Sequence, residues 1–334
     1  MNAQALYPLL LEPIFQYRLW GGRRLAHILR APLPGNDPIG EVWLLSDRDE
    51  HASVVANGSL QGQLLRQLLE RWPEQLLGKL AGRFRRFPLL LKFLDAREFL
   101  SVQVHPSDGQ ASYLPAGESG KTEAWIVMEG GPKRLVYAGL KSNTTAENLR
   151  KAIADGTVSD HLAGFRPNPG DCVLLQAGTV HSLGDLVVFE VQQNSDVTFR
   201  LDDWNRVDAR TGQPRPLQID QAMACIDFTR GPVGPVTPKR EESQDVPRER
   251  MVMCEQFGVW RMRGGSPFTV GAVDVPRVLV CLDGMGDLQH QDANYSVGRG
   301  DVMLLPAALG ACTFQPRGSV NLLELSLPDK PLNQ

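Results

Sequence analysis

The chain has 334 residues and a formal net charge of −3, with acidic and basic residues intermixed. That balance argues against nucleic acid or an anionic membrane as the main partner. The length suggests two domains or one large β architecture with ample core.

No apolar run reaches the ~18 residues of a membrane span, and the start, Met1-Asn2-Ala3-Gln4-Ala5-Leu6, lacks the basic and apolar segments of a signal peptide. The five cysteines form no CxxC pair and lie mostly in apolar runs, as buried thiols do in a reducing cytoplasm. A cytoplasmic protein, monomeric or weakly homo-oligomeric, is expected.

Along the chain, short alternating or apolar runs bounded by Gly, Pro, Asn and Asp predict an all-β core. Ser53–Ala56, Pro88–Leu94, Ala124–Met128 and Val187–Gln192 are examples. Two helical interruptions are expected. Between about 60 and 84, leucines recur at helical spacing and Pro73 suits the first turn of a second helix. Around Thr144-Thr145-Ala146-Glu147 a capping-box pattern precedes Leu149 and Ile153. Gly231–Pro238 and the charged Lys239–Glu242 read as a linker spanning 231–250, after which 251–334 is again β-like.

Candidate ligands for a metal sit on strand runs. In Ser101-Val102-Gln103-Val104-His105-Pro106, alternation places Ser101, Gln103 and His105 on one face. Glu123 follows, and Gly170–His181 supplies a glycine turn, a strand, a second Gly turn and a histidine. This last run resembles the second motif of the cupin family, with Gln176 where that motif usually has Pro. Gln103, His105, Glu123 and His181 make an N/O set that suits zinc and also accommodates iron or manganese. Two roles are open to Gln103: direct ligand, or holder of a metal-bound water. Gly300–Pro306 repeats the pattern of Gly170–Gln176, and equal steps put Ala311 where the first copy has His181. The expected fold is therefore mainly β. A ligand-bearing cupin-like (jelly-roll) barrel, 1–230, carries the helical insertion, and a degenerate second barrel follows at 251–334 with one metal site per chain.

Polar residues with period two surround this site. Glu190, Gln192 and Asn194 share a face, as do Thr198 and Arg200, and Lys121 lies two residues before Glu123. Buried charges must be compensated, so Lys121, Arg200 and Glu190 beside a metal mark a functional cavity.

Together these segments resemble the type I phosphomannose (mannose-6-phosphate) isomerases, in their shorter bacterial form. The likeness is carried by Leu19-Trp20-Gly21-Gly22, Gly40-Glu41-Val42-Trp43, Pro88–Ala96, Leu100–Pro106, Gly120-Lys121-Thr122-Glu123, Gly178–His181 and Phe189–Arg200. It implies a zinc enzyme that interconverts mannose 6-phosphate and fructose 6-phosphate, a small phosphosugar being its partner. It implies further that Gln103, His105, Glu123 and His181 hold one zinc, that Arg200 is an active-site residue, and that Lys121 and Glu190 line the pocket. Gln218 departs from the family's Leu-His-Ile, and Thr122 stands where the longer enzymes have Pro.

Such isomerisation moves a proton between C2 and C1 through a cis-enediol, which needs a base and stabilisation of negative oxygen. Arg200 and Lys121 offer positive charge to the enediolate, the phosphate or both, and Ser101 offers a hydroxyl to the substrate. Glu190, Lys121, zinc-bound water and Glu41 are all candidate bases. Two other classes fit parts of the pattern: a non-haem iron oxygenase, which also uses two His and a carboxylate, and a sugar-binding cupin without turnover.

Overall fold

The computed structural model describes residues 6–242 and 246–327. The reading of Met1–Ala5 and the stretch 328–334 of the expected second barrel lie outside them. The fold is mainly β. Strand β1 (Leu9–Leu10) is followed by β2 (Ile14–Gly22), β3 (Ile39–Leu45), β4 (Leu89–Ala96), β5 (Val102–Val104) and β6 (Glu123–Leu140). Then come β7 (Leu162–Phe165), β8 (Cys172–Leu175), β9 (His181–Gln193) and β10 (Phe199–Asp202). Strands β2 to β10 form one nine-stranded sheet in the order β10-β5-β9-β4-β2-β3, with β6 pairing β7, β8 and β9.

Both faces of β4 are buried along all eight residues. Leu89, Leu91 and Phe93 enter one apolar cluster, Leu94 and Ala96 another, and Lys92 lies between the latter and a cavity. Period-two alternation is thus kept, but apolar burial on both sides hides it from the sequence.

The expected helical insertion contains α1 (Leu65–Arg71) and α2 (Pro73–Leu77), with Pro73 in the first turn of α2. Leu65, Leu68, Leu69, Leu76 and Leu77 enter the main core cluster, so the leucine stripe packs on the sheet. Helix α3 (Ala146–Asp155) is capped one residue later than the Thr144/Glu147 pattern suggests. Thr145 accepts from the Asn148 N–H at 3.2 Å, and Asn148 Oδ1 accepts from the Thr145 N–H at 2.8 Å. Ser53–Ala56 is not a strand: Val54 and Val55 make only isolated bridges, to Leu64 and Leu11. A short helix, α4 (Ile219–Cys225), was not expected.

The second half builds two facing sheets. A separate hairpin, β11 (Val207–Asp208) and β12 (Gln213–Pro214), precedes them, and their own strands begin with β13 (Lys239–Glu241), β14 (Arg248–Met253), β15 (Gly258–Gly264) and β16 (Phe268–Gly271). After these come β17 (Arg277–Asp283), β18 (Met285–His290), β19 (Ala293–Gly298), β20 (Val302–Leu305), β21 (Ala311–Pro316) and β22 (Val320–Ser326). One sheet runs β1-β20-β17-β22-β15-β14-β13 and the other β16-β21-β18-β19. Two features cross the boundary read from sequence. Strand β1 pairs with β20, and Lys239–Glu241, inside the expected linker, pairs with β14.

The repeat is matched in backbone. Gly170 and Gly300 both adopt positive φ, 92° and 86°, and His181 and Ala311 each open the strand that follows. Between the two sheets of the second unit lie Met262, Phe268, Leu279, Leu288, Met303, Phe314 and other buried apolar residues, which fill the space a ligand would need. Among the described residues no helix is long and apolar enough to cross a membrane.

Phe314→Ala should therefore cost about 3–5 kcal/mol of stability, as large-to-small core changes do, while metal content stays unchanged. Ala311→His should add no metal. Calorimetric unfolding and metal analysis check both, and a second equivalent of metal in Ala311→His would overturn the degenerate-barrel reading.

Candidate metal centre and active-site cavity

Register brings the site together in two rows. Arg200 of β10 lies opposite Gln103 of β5, and Gln103 lies opposite His181 of β9. Farther along, Trp43 of β3 faces Lys92 of β4, Lys92 faces Glu190 of β9, and Glu190 faces Trp125 of β6. Backbone bonds between the loops lock the ligand segments to one another. The Gly178 N–H donates to the His105 carbonyl at 2.8 Å and the Lys121 N–H to the Pro106 carbonyl at 3.0 Å. Gly120 has to be glycine, because a Cβ there would stand 2.5 Å from the Asp108 nitrogen.

His105, Glu123 and His181 are buried, and their ligand atoms all lie within 4.8 Å of one another. His105 Nδ1 meets the Val197 carbonyl and His181 Nδ1 the Thr179 carbonyl, each at 2.8 Å. A carbonyl can only accept, so Nδ1 carries the proton in both rings and the Nε2 lone pairs turn to Glu123. Burial above all, and Lys121 as well, push both imidazoles down, His105 to about 3, so both are neutral at pH 7. Burial alone would raise the Glu123 carboxyl, but Lys121 holds it well below the usual range. Both Glu123 oxygens lack a hydrogen-bond partner, although Lys121 Nζ is 3.0 Å from Oε2.

The residues fit a metal ion. Each Nε2 stands 3.3 Å from a Glu123 oxygen, and tetrahedral zinc with bonds of about 2.0–2.1 Å separates its donors by about 3.3 Å. Lys121 Nζ, 3.2 Å from His105 Nε2, supplies the cation that these donors otherwise lack. Gln103 turns its NH2 to His181 Nε2 at 3.1 Å, and its Oε1 accepts from Ser101 Oγ at 3.0 Å. Rotating the amide by half a turn presents the oxygen instead, and the Ser101 hydroxyl serves either orientation.

Beside this centre opens a cavity of about 350 Å³, lined by Gln103, Lys121, Glu190, Thr198 and Arg200 among others. Ser101 is not among its lining residues: it is 1% exposed and its hydroxyl donates to Gln103 Oε1. Asn194 and Gln192 are likewise turned away, Asn194 Nδ2 to the Asp47 carbonyl and Gln192 Nε2 to the Gln193 and Ser195 carbonyls.

Sequence reasoning missed Arg18, Lys92 and Arg215, which also line the cavity. Lys92, 2% exposed, has Nζ 3.2 Å from Glu190 Oε1 and 3.8 Å from Glu41 Oε2. Glu41 Oε2 also accepts from Arg18 at 2.9 Å and from the Trp43 indole at 2.8 Å. Burial opposes ionisation of Glu41, yet Arg18 and then Lys92 hold its carboxyl at about 2. Glu190 differs: burial, and then the nearby Glu123 charge, raise its pKa, while the Trp125 indole donates to Oε2 at 2.8 Å. Arg200 makes no ion pair among the described residues, its buried Nε has no partner, and burial lowers its pKa. Only its backbone is held, by Gln218 of the segment before α4.

Glu41 gives a pH prediction. Its folded pKa is depressed, so its stabilisation is present above about pH 4.5 and disappears as pH falls toward 2. The full shift is worth on the order of 3 kcal/mol. The stability gap between the parent and Glu41→Gln should narrow from pH 5 to pH 3, read by chemical unfolding at each pH. A gap that stays constant would show that Glu41 is not held ionised by Arg18 and Lys92.

Residues 9–122 match the model of the family described as phosphomannose isomerase type I, catalytic domain. The chain is 35% identical over 312 residues to the mannose-6-phosphate isomerase ManA of Bacillus subtilis, covering 91% of this chain and 94% of that protein. It is 32% identical over 311 residues to the mannose-6-phosphate isomerase of Streptococcus mutans, covering 92% and 95%. Its fold matches the crystal structure of the Bacillus subtilis mannose 6-phosphate isomerase with a TM-score of 0.87 at 29% identity, covering 96% of this chain and 99% of that one. A zinc-bound mannose 6-phosphate isomerase, at 17% identity, shares the fold with a TM-score of 0.77 over 96% and 99% of the chains.

Proposed function

This chain belongs to the type I phosphomannose (mannose-6-phosphate) isomerase family, and we propose that it is a zinc-dependent enzyme interconverting mannose 6-phosphate and fructose 6-phosphate. The relatives carry that activity in their names, and a cytoplasmic, one-zinc enzyme is the form proposed here.

Arg200 carries this reading: a guanidinium that opens into the cavity, on the residue paired with Gln103, and that makes no ion pair among the described residues. A dianionic phosphosugar supplies that counter-charge, and a neutral sugar or dioxygen does not. The same observation disfavours the oxygenase reading. Arg18 and Arg215 line the same cavity, but Glu41 and Asp203 already engage them.

His105, Glu123 and His181 hold the zinc, with Gln103 as fourth ligand through its amide oxygen. When bound, the metal supplies a Lewis acid toward the oxygens at C1 and C2. With a cation meeting the Glu123 charge, Lys121, which lines the cavity, would be free to turn to the substrate. Glu190 is proposed as the base that moves the proton between C2 and C1 through a cis-enediol. Its raised pKa places it nearer neutrality, where a general base works best. Glu41, held at about 2 by its two cations, is too weak a base for that step. Lys92 and the Trp125 indole hold the Glu190 carboxyl in place.

Metal analysis should find about one zinc per chain, removed by chelator, with activity restored by zinc. His105→Ala and His181→Ala should each lose most of it, because three protein ligands are the minimum for a catalytic zinc. Full occupancy in both would move the site elsewhere.

Zinc-loaded protein should convert mannose 6-phosphate to fructose 6-phosphate, with mannose a far poorer substrate. Arg200→Lys should keep its zinc and lose ~30- to 1,000-fold in rate, the cost of about 2–4 kcal/mol for one charge-assisted contact. Unchanged turnover in Arg200→Lys removes Arg200 from the mechanism. Tight phosphosugar binding without any turnover by the parent would favour the binding-module alternative.

A further inference from the structure

Strand β10 is an edge: it pairs with β5 on one side, and its other side is closed at Arg200 by one residue. The Arg200 N–H donates to Gln218 Oε1 at 3.1 Å, and the Gln218 N–H donates to the Arg200 carbonyl at 3.0 Å. Gln218 Nε2 in turn donates to the Pro216 carbonyl at 3.2 Å, which fixes the amide with its oxygen toward Arg200. Both polar backbone groups of Arg200 therefore point away from β5. That makes Arg200 and Gln103 the close, non-hydrogen-bonded kind of antiparallel pair, with Cα atoms about 4.5 Å apart.

We propose that Gln218 is a positioning residue for the isomerisation: its two-point clamp on the Arg200 backbone stands in for a missing neighbour strand and sets the guanidinium beside Gln103 and the metal ligands. The Arg200 side chain makes no ion pair among the described residues, so its placement depends on the backbone that carries it. A strand edge without the clamp would fray at this position. The inference rests on the isomerase reading for its kinetic test but not for its structural one.

The experiment is a double-mutant cycle on the zinc-loaded enzyme with mannose 6-phosphate, alongside amide hydrogen exchange at Arg200. Gln218→Ala should retain zinc and lower kcat roughly tenfold, less than the ~100-fold that a 1 Å misplacement can cost. Added to Arg200→Lys it should lower kcat by less than about twofold, because the group it positions is already compromised. Gln218→Glu keeps an acceptor for the Arg200 N–H, so it should recover kcat to within about threefold of the parent. In the exchange measurement, the Arg200 amide should exchange at least about tenfold faster in Gln218→Ala, a readout that needs no turnover.

A purely structural role predicts instead that Gln218→Ala lowers the parent and Arg200→Lys by the same factor, and that result overturns the proposal. So does a Gln218→Ala enzyme with kcat within twofold of the parent. A parent that turns over while Gln218→Ala is indifferent refutes the clamp and leaves the isomerase reading intact. A parent without turnover refutes the isomerase reading, and the Arg200 exchange rate then decides the clamp on its own.

Discussion

Glu123 is fully buried, ionised, and without a hydrogen bond to either oxygen. Left alone, a carboxylate in that setting costs several kcal/mol, so everything around it is arranged to receive a cation. Two imidazoles are forced into one tautomer by the carbonyls of Thr179 and Val197 and bring their lone pairs to the same point. Lys121 stands against Glu123 and His105. Removing one member leaves the others more expensive, so the cluster is held or lost as a unit.

The same logic governs the cavity wall. Arg18, Glu41, Lys92 and Glu190 alternate in charge, linked by contacts from 2.9 to 3.8 Å. Lys92 serves the anion on either side, and Arg18 serves Glu41. The two carboxylates are nevertheless pushed in opposite directions, because their neighbours differ. Each accepts from one indole, but Glu41 has Arg18 as well as Lys92, while Glu190 shares Lys92 and feels the charge of Glu123. A site that moves protons uses two carboxyls whose surroundings push them apart, one held ionised and one raised. The wall thus sorts its acids by environment alone.

How far this was legible from residues depends on alternation. Gln103, His105 and Glu123 stood out because polar side chains recur at period two among apolar ones, and the glycine turns around Gly170 and Gly178 announced His181. Lys92 was hidden because it interrupts Leu-Leu-Leu-Lys-Phe-Leu, a strand buried on both faces, where a lone charge carries no pattern. Arg18 and Arg215 were hidden for a different reason. Their partners, Glu41 and Asp203, lie 23 and 12 residues away, and no local rule links them. Ser101 was legible as inward-facing, but which inward atom it meets, Gln103 or a substrate, is a matter of distance that spacing cannot supply. Helix α4 is seven residues long and has no side-chain cap, so its start had no signal. The two-residue β1 is too short to show a period, which is why its place in the second unit's sheet went unseen.

That second unit explains how the first can carry so much buried charge. The main apolar cluster joins Leu25, Val42, Leu89 and Phe93 from the site-bearing half with Met251, Val278, Leu304 and Leu325 from the other. The outer face of β4 is therefore pressed against a filled barrel, while its inner face holds Lys92 between two glutamates. A filled barrel is what that job needs, since an open polar interior would soften the backing. The repeat has the same glycine turn and strand, but Ala311, at the position His181 holds in the first copy, is exposed, and alternation turns Cys312 and Phe314 inward instead. A single histidine placed there would face solvent rather than the space between the sheets. A buried metal-ligand set is stable whole or not at all, and among the described residues only the first unit brings such a set together.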